Sequence, residues 1–270
     1  MARSQVTDRD RVFPALLKFW RGRRGLSQLD LGLSADVSAR HISFLETGRS
    51  RPSVEMVGLL AETLDVPLRD RNEMLRSAGF SAAFPELTAI DALAGPLGVA
   101  VDAMLRHSEP YPMMVMDRLY RVSRANDAAQ QILGLAGIDL GDPVTDVLGA
   151  VFQESYQELL GNWNEFAGAI LRRVQREVLH RPQDRELNAL LNRLLSSEVV
   201  PDEWRQPSLD AAELPMIPLV VTVGDAQLRF LTTITAFNAP SNVALDELRI
   251  ETYYPLDEVT DRFCHDVARE

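Results

Sequence analysis

Between Arg11 and Gly79 the apolar residues fall into five helical periods, each bounded by a residue suited to starting or stopping a helix. The first covers about Arg11 to Arg24, with Phe13, Leu16, Leu17 and Trp20 at helical spacing. Gly25 ends it, just after Arg23 and Arg24, cations that suit the negative end of a helix dipole. Ser27, with Asp30 three residues on, reads as a variant capping box opening a second helix to about Ala35. Asp36 occupies the sharp turn that follows, where Asp tolerates the left-handed region less well than Gly but better than most residues. Ser38 caps a third helix ending near Thr47, Pro52-Ser53 opens a fourth to Leu64, and a fifth runs from about Pro67 to Ala78.

The second and third helices, joined by a three- or four-residue turn, have the dimensions of a helix-turn-helix. Gly32 lets the third helix cross the second closely, and Leu31, Val37, Ile42 and Leu45 can fill the space beneath. In that geometry the third helix lies in the DNA major groove with its N-terminal residues at base edges. Ile42 and Leu45 anchor only one narrow face, which leaves Arg40, His41 and Ser43 outward. Arg40 suits two bonds to guanine, while His41 and Ser43 reach bases or phosphates. Gln28, at the start of the second helix, suits a phosphate, and Arg49 and Arg51 suit the DNA backbone beyond Gly48. The expected DNA-contacting set is therefore Gln28, Ser38, Ala39, Arg40, His41, Ser43, Arg49 and Arg51. The competing reading is a five-helix bundle that binds no DNA and serves as a protein-interaction module.

Charge separates the chain into two parts. The whole of it, 270 residues, carries a net charge of −11, yet residues 1–80 hold 13 Lys and Arg against 10 Asp and Glu. The remaining residues hold 15 against 29, so the acidity lies entirely beyond residue 80 and an anionic partner belongs to the first part. We expect domains at 1–80 and 81–270. The start of the chain is polar with no apolar signal core, no apolar run approaches the ~20 residues a membrane span needs, and the single cysteine, Cys264, has no partner for an internal disulfide. The expectation is a cytoplasmic protein with no membrane association, no bound metal and no catalytic set.

The segment Gly79–Pro85 breaks the helical pattern and, being apolar, should pack rather than float. A helix from about Thr88 to His107 follows, with a kink expected at Gly95-Pro96. Two short strands, Met113–Met116 and Tyr120–Ser123, flank a turn at Asp117-Arg118, and a helix runs from Asn126 to Leu133. A helical region from Val144 to about Ser196 breaks near Gly161 and Pro182, and Trp163, Phe166, Ile170, Val174 and Val178 form an apolar stripe on its longest segment. Strands at Pro218–Val223 and Gln227–Phe237 flank Gly224-Asp225, a hairpin signal, with Leu228, Phe230, Thr232 and Ile234 on one face. A strand at Leu248–Tyr254 and a helix at Asp257–Ala268 close the chain. Five antiparallel strands, with helices inserted between the second and third, give an α+β fold whose sheet is covered on one side, in the order of a PAS-like sensor.

Specific stretches carry a family resemblance. Gly25-Leu26-Ser27-Gln28, Val37-Ser38, Ile42, Leu45-Glu46, Gly48 and Arg51-Pro52-Ser53 resemble the lambda-repressor-like helix-turn-helix of the XRE family. That family often pairs an arginine of the first helix with a glutamate late in the third, which implies a structural ion pair between Arg21 and Glu46. "YPMMVMDRLYRVSRANDAAQQIL", "NWNEFAGAILRRVQREV" and "LDELRIETYYPLD" resemble the MmyB-like ligand-binding domain that follows such a helix-turn-helix in bacterial transcription regulators. The resemblance implies a homodimer on operator DNA and a PAS-like pocket for a small apolar ligand, with fatty acids the leading class.

The interior of a covered sheet is the place for such a ligand, and Met114, Met116, Trp163, Phe166, Ala167, Ile170, Phe230 and Ile234 are the candidates to line it. Each serves equally as ordinary core. Arg249, out of phase with Leu248 and Ile250, is expected on the opposite side from them. Two other functions compete: a regulator whose second domain only dimerises or binds a protein, its interior filled, and an enzyme fused to a DNA-binding module. No nucleophile elbow, P-loop, dinucleotide fingerprint or metal spacing supports the enzyme. Haem sensing would need His107 or His180 as an axial ligand.

Overall fold

The computed structural model describes residues 12–140, 145–206, 218–237 and 240–269. The chain forms two units. One comprises the residues up to Leu87 together with a short later segment ending at Asp246, and the other comprises the rest.

The described N-terminal part of the first unit holds five helices: α1 (Val12–Arg23), α2 (Gln28–Ser34), α3 (Ala39–Glu46), α4 (Val54–Thr63) and α5 (Leu68–Ser77). The expected start of α1 at Arg11 lies outside the described residues. Three serines start three of these helices in the same way. The hydroxyls of Ser27, Ser38 and Ser53 accept from the backbone N–H groups of Asp30, His41 and Met56, which the helices themselves leave unpaired. Asp30 returns the bond, its carboxylate accepting from the Ser27 N–H at 2.9 Å. Asp36 adopts φ 53° at the turn between α2 and α3. A Cβ at Gly32 would stand 2.5 Å from the Val37 carbonyl oxygen, so only glycine admits the α2–α3 crossing. Leu17, Leu31, Ile42 and Leu45 are wholly buried at its centre.

The boundary expected at 80/81 falls short of the division in the structure. Phe80 packs against the first core. Buried Asn72 then holds the next residues: its Oδ1 accepts from the N–H groups of Ala83 and Phe84 at 3.0 Å, and its Nδ2 donates to the Phe84 carbonyl and Glu86 Oε1 at 2.8 Å. The segment packs, as its composition requires. Helix α5 starts at Pro67, which has no side chain to cap it. The Asp246 carboxylate takes that part, accepting from the Leu68 N–H at 2.9 Å.

The second unit opens with α6 (Ala89–Ala92) and α7 (Pro96–Ser108). These are two helices where one kinked helix was expected. Gly95 is extended and Pro96 has no N–H to continue the ladder, so the chain breaks and restarts. Strands β1 (Met113–Met116) and β2 (Arg121–Ala125), helix α8 (Asp127–Leu135) and the two-residue β3 (Thr145–Asp146) follow. Next come α9 (Val147–Val151), α10 (Glu154–Leu159), α11 (Trp163–His180), α12 (Arg185–Leu195), β4 (Leu219–Val223) and β5 (Ala226–Thr235). Strand β6 (Arg249–Pro255) and helix α14 (Glu258–Val267) complete it, while helix α13 (Val243–Glu247), just before them, belongs up to Asp246 to the first unit. The sheet is antiparallel in the order β3-β2-β1-β6-β5-β4. The five expected strands are present, and β3 is an additional edge. Gly224, at φ 58°, forms the β4–β5 hairpin turn.

One correction concerns what covers this sheet. Helices lie on both faces, not one. Arg124, paired with Val115, donates to the carbonyls of Leu93 and Gly98 and to the Asp102 carboxylate, which fixes α7 to that face. Arg118, in the turn between β1 and β2, is 6% exposed, ringed by Asp184 at 2.8 Å, Glu247 at 3.3 Å and Glu186.

Candidate functional site

Helix α3 presents two unlike sides. Ile42 and Leu45 are buried, while Arg40 is exposed and Ser43 and Phe44 are half-buried on the opposite side. Ala39 and His41 are half-buried on its flanks, and Ser38 is exposed at its start. Arg49 and Arg51 are exposed just past the end of α3, where Gly48 turns the chain at φ 70°. Arg40 and Arg49 thus share one side of the first unit's helix-turn-helix, both meeting Phe44. Phe44 is the addition that sequence reading missed. The Arg40 guanidinium lies 5.2 Å from its ring centroid and that of Arg49 6.0 Å. The signal was present, since Arg40 and Phe44 are four apart on a helix.

Behind this surface the ion pair between Arg21 and Glu46 is made: Nε to Oε1 at 2.6 Å and Nη2 to Oε2 at 3.0 Å. Burial opposes the charge on Glu46, but the bonds from Arg21 and then Gln28 outweigh it and hold the carboxyl below its usual range. Gln28 Nε2 donates to Glu46 Oε2 at 2.8 Å, which ties α2 to α3 through one of the two N–H donors of its amide.

In the second unit a cavity of about 70 Å³ opens between the inner face of the sheet and the helices. Met114 on β1, Val221 on β4, Phe230 on β5 and Tyr253 on β6 form its floor. Ala129 and Ile132 of α8, Ala136 just past its end, Val151 of α9, Leu159 of α10 and Phe166 of α11 form its walls. Among the described residues that line it, the polar side-chain groups are two phenols, those of Tyr156 and Tyr253. Of the eight residues expected to line a pocket, Met114, Phe166 and Phe230 do so.

The other five do not. Met116, Trp163 and Ala167 are packed core, and Ile170 packs against that core. Trp163 donates its indole N–H to the Val151 carbonyl at 2.8 Å and stacks on Trp204 at 5.4 Å, so its ring is committed. The buried line on α11 runs through Trp163, Ala167, Leu171 and Val174, which turns Phe166, Ile170 and Val178 to its margin. Ile234 is 40% exposed: β5 extends beyond the helices that cover its first half.

Arg249 lies, as expected, on the opposite side from Leu248 and Ile250. Its register partner is Met116, as Met114 is that of Glu251, so that side is the cavity side of the sheet. Leu248 and Ile250, buried too, point away from it. Arg249 does not reach the cavity wall. Its Nη2 pairs with Glu177 Oε1 at 3.0 Å, and the Tyr120 hydroxyl donates to the same oxygen at 3.1 Å. Burial first, then the Glu177 charge, push the Tyr120 phenol up to about 12. Burial likewise raises the Glu251 carboxyl, against the pull of Tyr253, Arg173 and Arg249. His107 and His180 are exposed and outside the cavity lining, so neither meets the geometry haem ligation requires.

Among the described residues no group of His, Cys, Asp or Glu is arranged to hold a metal ion, and no helix is long and apolar enough to cross a membrane. Residues 17–70 match the family model for a helix-turn-helix. Residues 97–266 match that of the MmyB-like transcription regulator ligand binding domain. No curated protein matches the chain.

Proposed function

The chain belongs to the MmyB-like transcription regulators, a DNA-binding module joined to a ligand-binding domain, and we propose that it binds operator DNA as a cytoplasmic homodimer whose affinity is set by a small fatty-acid-like ligand. Arg40 reads guanine, His41 and Ser43 contact bases or phosphates, and Arg49 and Arg51 hold the backbone. A single helix-turn-helix reads only a few base pairs, so two copies on half-sites about one helical turn apart supply the selectivity.

The observation that carries the ligand reading is the cavity, whose walls offer an incoming molecule apolar carbon and two phenols. A domain that served only to dimerise has no use for it. Size limits the ligand. One water needs ~10–15 Å³ on this scale, so about 70 Å³ admits a chain segment of roughly five heavy atoms. Five buried methylenes contribute ~4 kcal/mol, which is millimolar binding, and micromolar binding needs about ten. A medium chain therefore enters tail first, its carboxylate at the mouth because Arg249 is already paired, and a long chain must spread α8 and α11 apart.

Mass spectrometry of the purified protein after solvent extraction, together with titration of octanoic, decanoic and palmitic acids, tests this. Decanoate binding stronger than palmitate is expected. Indifference to every acyl chain would leave the dimerisation reading in its place.

A further inference from the structure

Phe44 is a large apolar residue that belongs to neither hydrophobic core. It lies on the outward side of α3 with Arg40 and Ser43, and two guanidinium groups, those of Arg40 and Arg49, lie over its ring. Such contacts attract a cation to the face of an aromatic ring and leave its edge free. Phenyl has no donor or acceptor, so it cannot read the nitrogen and oxygen edges of bases. The major groove offers one apolar group, the 5-methyl of thymine.

We propose that Phe44 is a specificity-determining residue that selects a thymine by covering its 5-methyl group, close to the guanine read by Arg40. Four residues of helix separate the two side chains by about 6 Å along the axis, within two base-pair steps of ~3.4 Å. The inference rests on the reading of α3 as the base-reading helix. It adds the identity of a base that the polar residues of α3 do not determine.

The test uses the full chain and a duplex selected from random sequence. Each thymine is replaced in turn by deoxyuridine, which removes only the methyl. For the unaltered protein, one thymine per half-site should lose about fourfold in affinity, the effect of burying one methyl carbon at ~0.8 kcal/mol. Phe44→Ala should bind thymine and uracil equally at that position and still discriminate at the guanine. Phe44→Gln, which keeps a side chain of similar reach, should show the same equality should the alanine variant fail to fold. A folded variant that keeps the full thymine preference, or an unaltered protein indifferent to every replacement, overturns the proposal and leaves operator binding standing. Failure of the unaltered protein to select any duplex overturns both.

Discussion

The Arg21 guanidinium meets the Glu46 carboxylate side-on, through Nε at 2.6 Å and Nη2 at 3.0 Å, and so locks α1 to the end of α3. The carboxylate side chain is 3% exposed and its partner 15%. Glu46→Ala leaves a largely buried guanidinium without its counter-charge, and we expect the unit to lose about 3 kcal/mol. Chemical denaturation followed through Trp20, buried in the same unit, measures it. Because the folded carboxyl lies below its unfolded value, the contribution is complete above about pH 4.3 and disappears as pH falls through the folded value. The stability gap between the unaltered protein and Glu46→Gln should therefore close in acid. A gap that stays constant there would contradict the account.

Two glycines should respond to alanine in opposite directions. At Gly32 the new Cβ would meet the Val37 carbonyl at 2.5 Å, forcing α2 and α3 apart. We expect Gly32→Ala to cost about 1–3 kcal/mol and to abolish operator binding. Gly58, inside α4, has nothing near its would-be Cβ, so Gly58→Ala should stabilise by up to ~1 kcal/mol. Paired thermal melts decide both signs.

Arg40 and Arg51 should differ in kind. Arg40→Ala should weaken operator binding by about 1–3 kcal/mol and relax preference at one base pair per half-site. Arg51→Ala should weaken binding to all sequences alike and reduce the slope of log affinity against log salt by about one. Anisotropy titrations on the selected operator and a scrambled duplex, at several salt concentrations, separate the two. An Arg40→Ala protein with unaltered sequence preference would show that α3 is misassigned as the reading helix.

Two alanines in the ligand-binding unit should also diverge. Ala136 borders the cavity, so Ala136→Leu should reduce acyl-chain uptake and leave the melting temperature nearly unchanged. Ala167 is fully buried in packed core, so Ala167→Phe should cost about 1–3 kcal/mol through overpacking. Calorimetry with decanoate, alongside melting curves, tests the pair. Full uptake by Ala136→Leu would remove the cavity as the ligand site.

The first unit was legible because its information is local. Ser27, Ser38 and Ser53 cap helices by reaching three residues along the chain, and Gly25 and Gly48 stop them with φ values few other residues accept. The cavity was less legible because its lining depends on how far each helix is rotated about its axis. An apolar stripe shows that α11 packs, but it did not say that Ala167 points inward and Phe166 to the margin. Strand alternation put Ile234 and Phe230 on one face, as the register has it, but could not show where the covering helices stop. For Arg249 alternation gave the side, opposite Leu248 and Ile250, but not that helices cover both faces. With both faces covered, Leu248 and Ile250 are buried on one side and Arg249 lies on the other, paired with Glu177. The capping of α5 by Asp246, far along the chain, left no local trace at all.

The central claim is that occupancy of the cavity changes how tightly the first unit holds DNA. A ligand can do this only if it prefers one of two arrangements of the protein. The most direct measurement is operator affinity of the full-length protein as decanoate is titrated, with Ala136→Leu run in parallel. The account predicts a saturable change of about fivefold or more in operator affinity, absent or much reduced in Ala136→Leu. Decanoate that binds the cavity and leaves operator affinity unchanged at every concentration would contradict it.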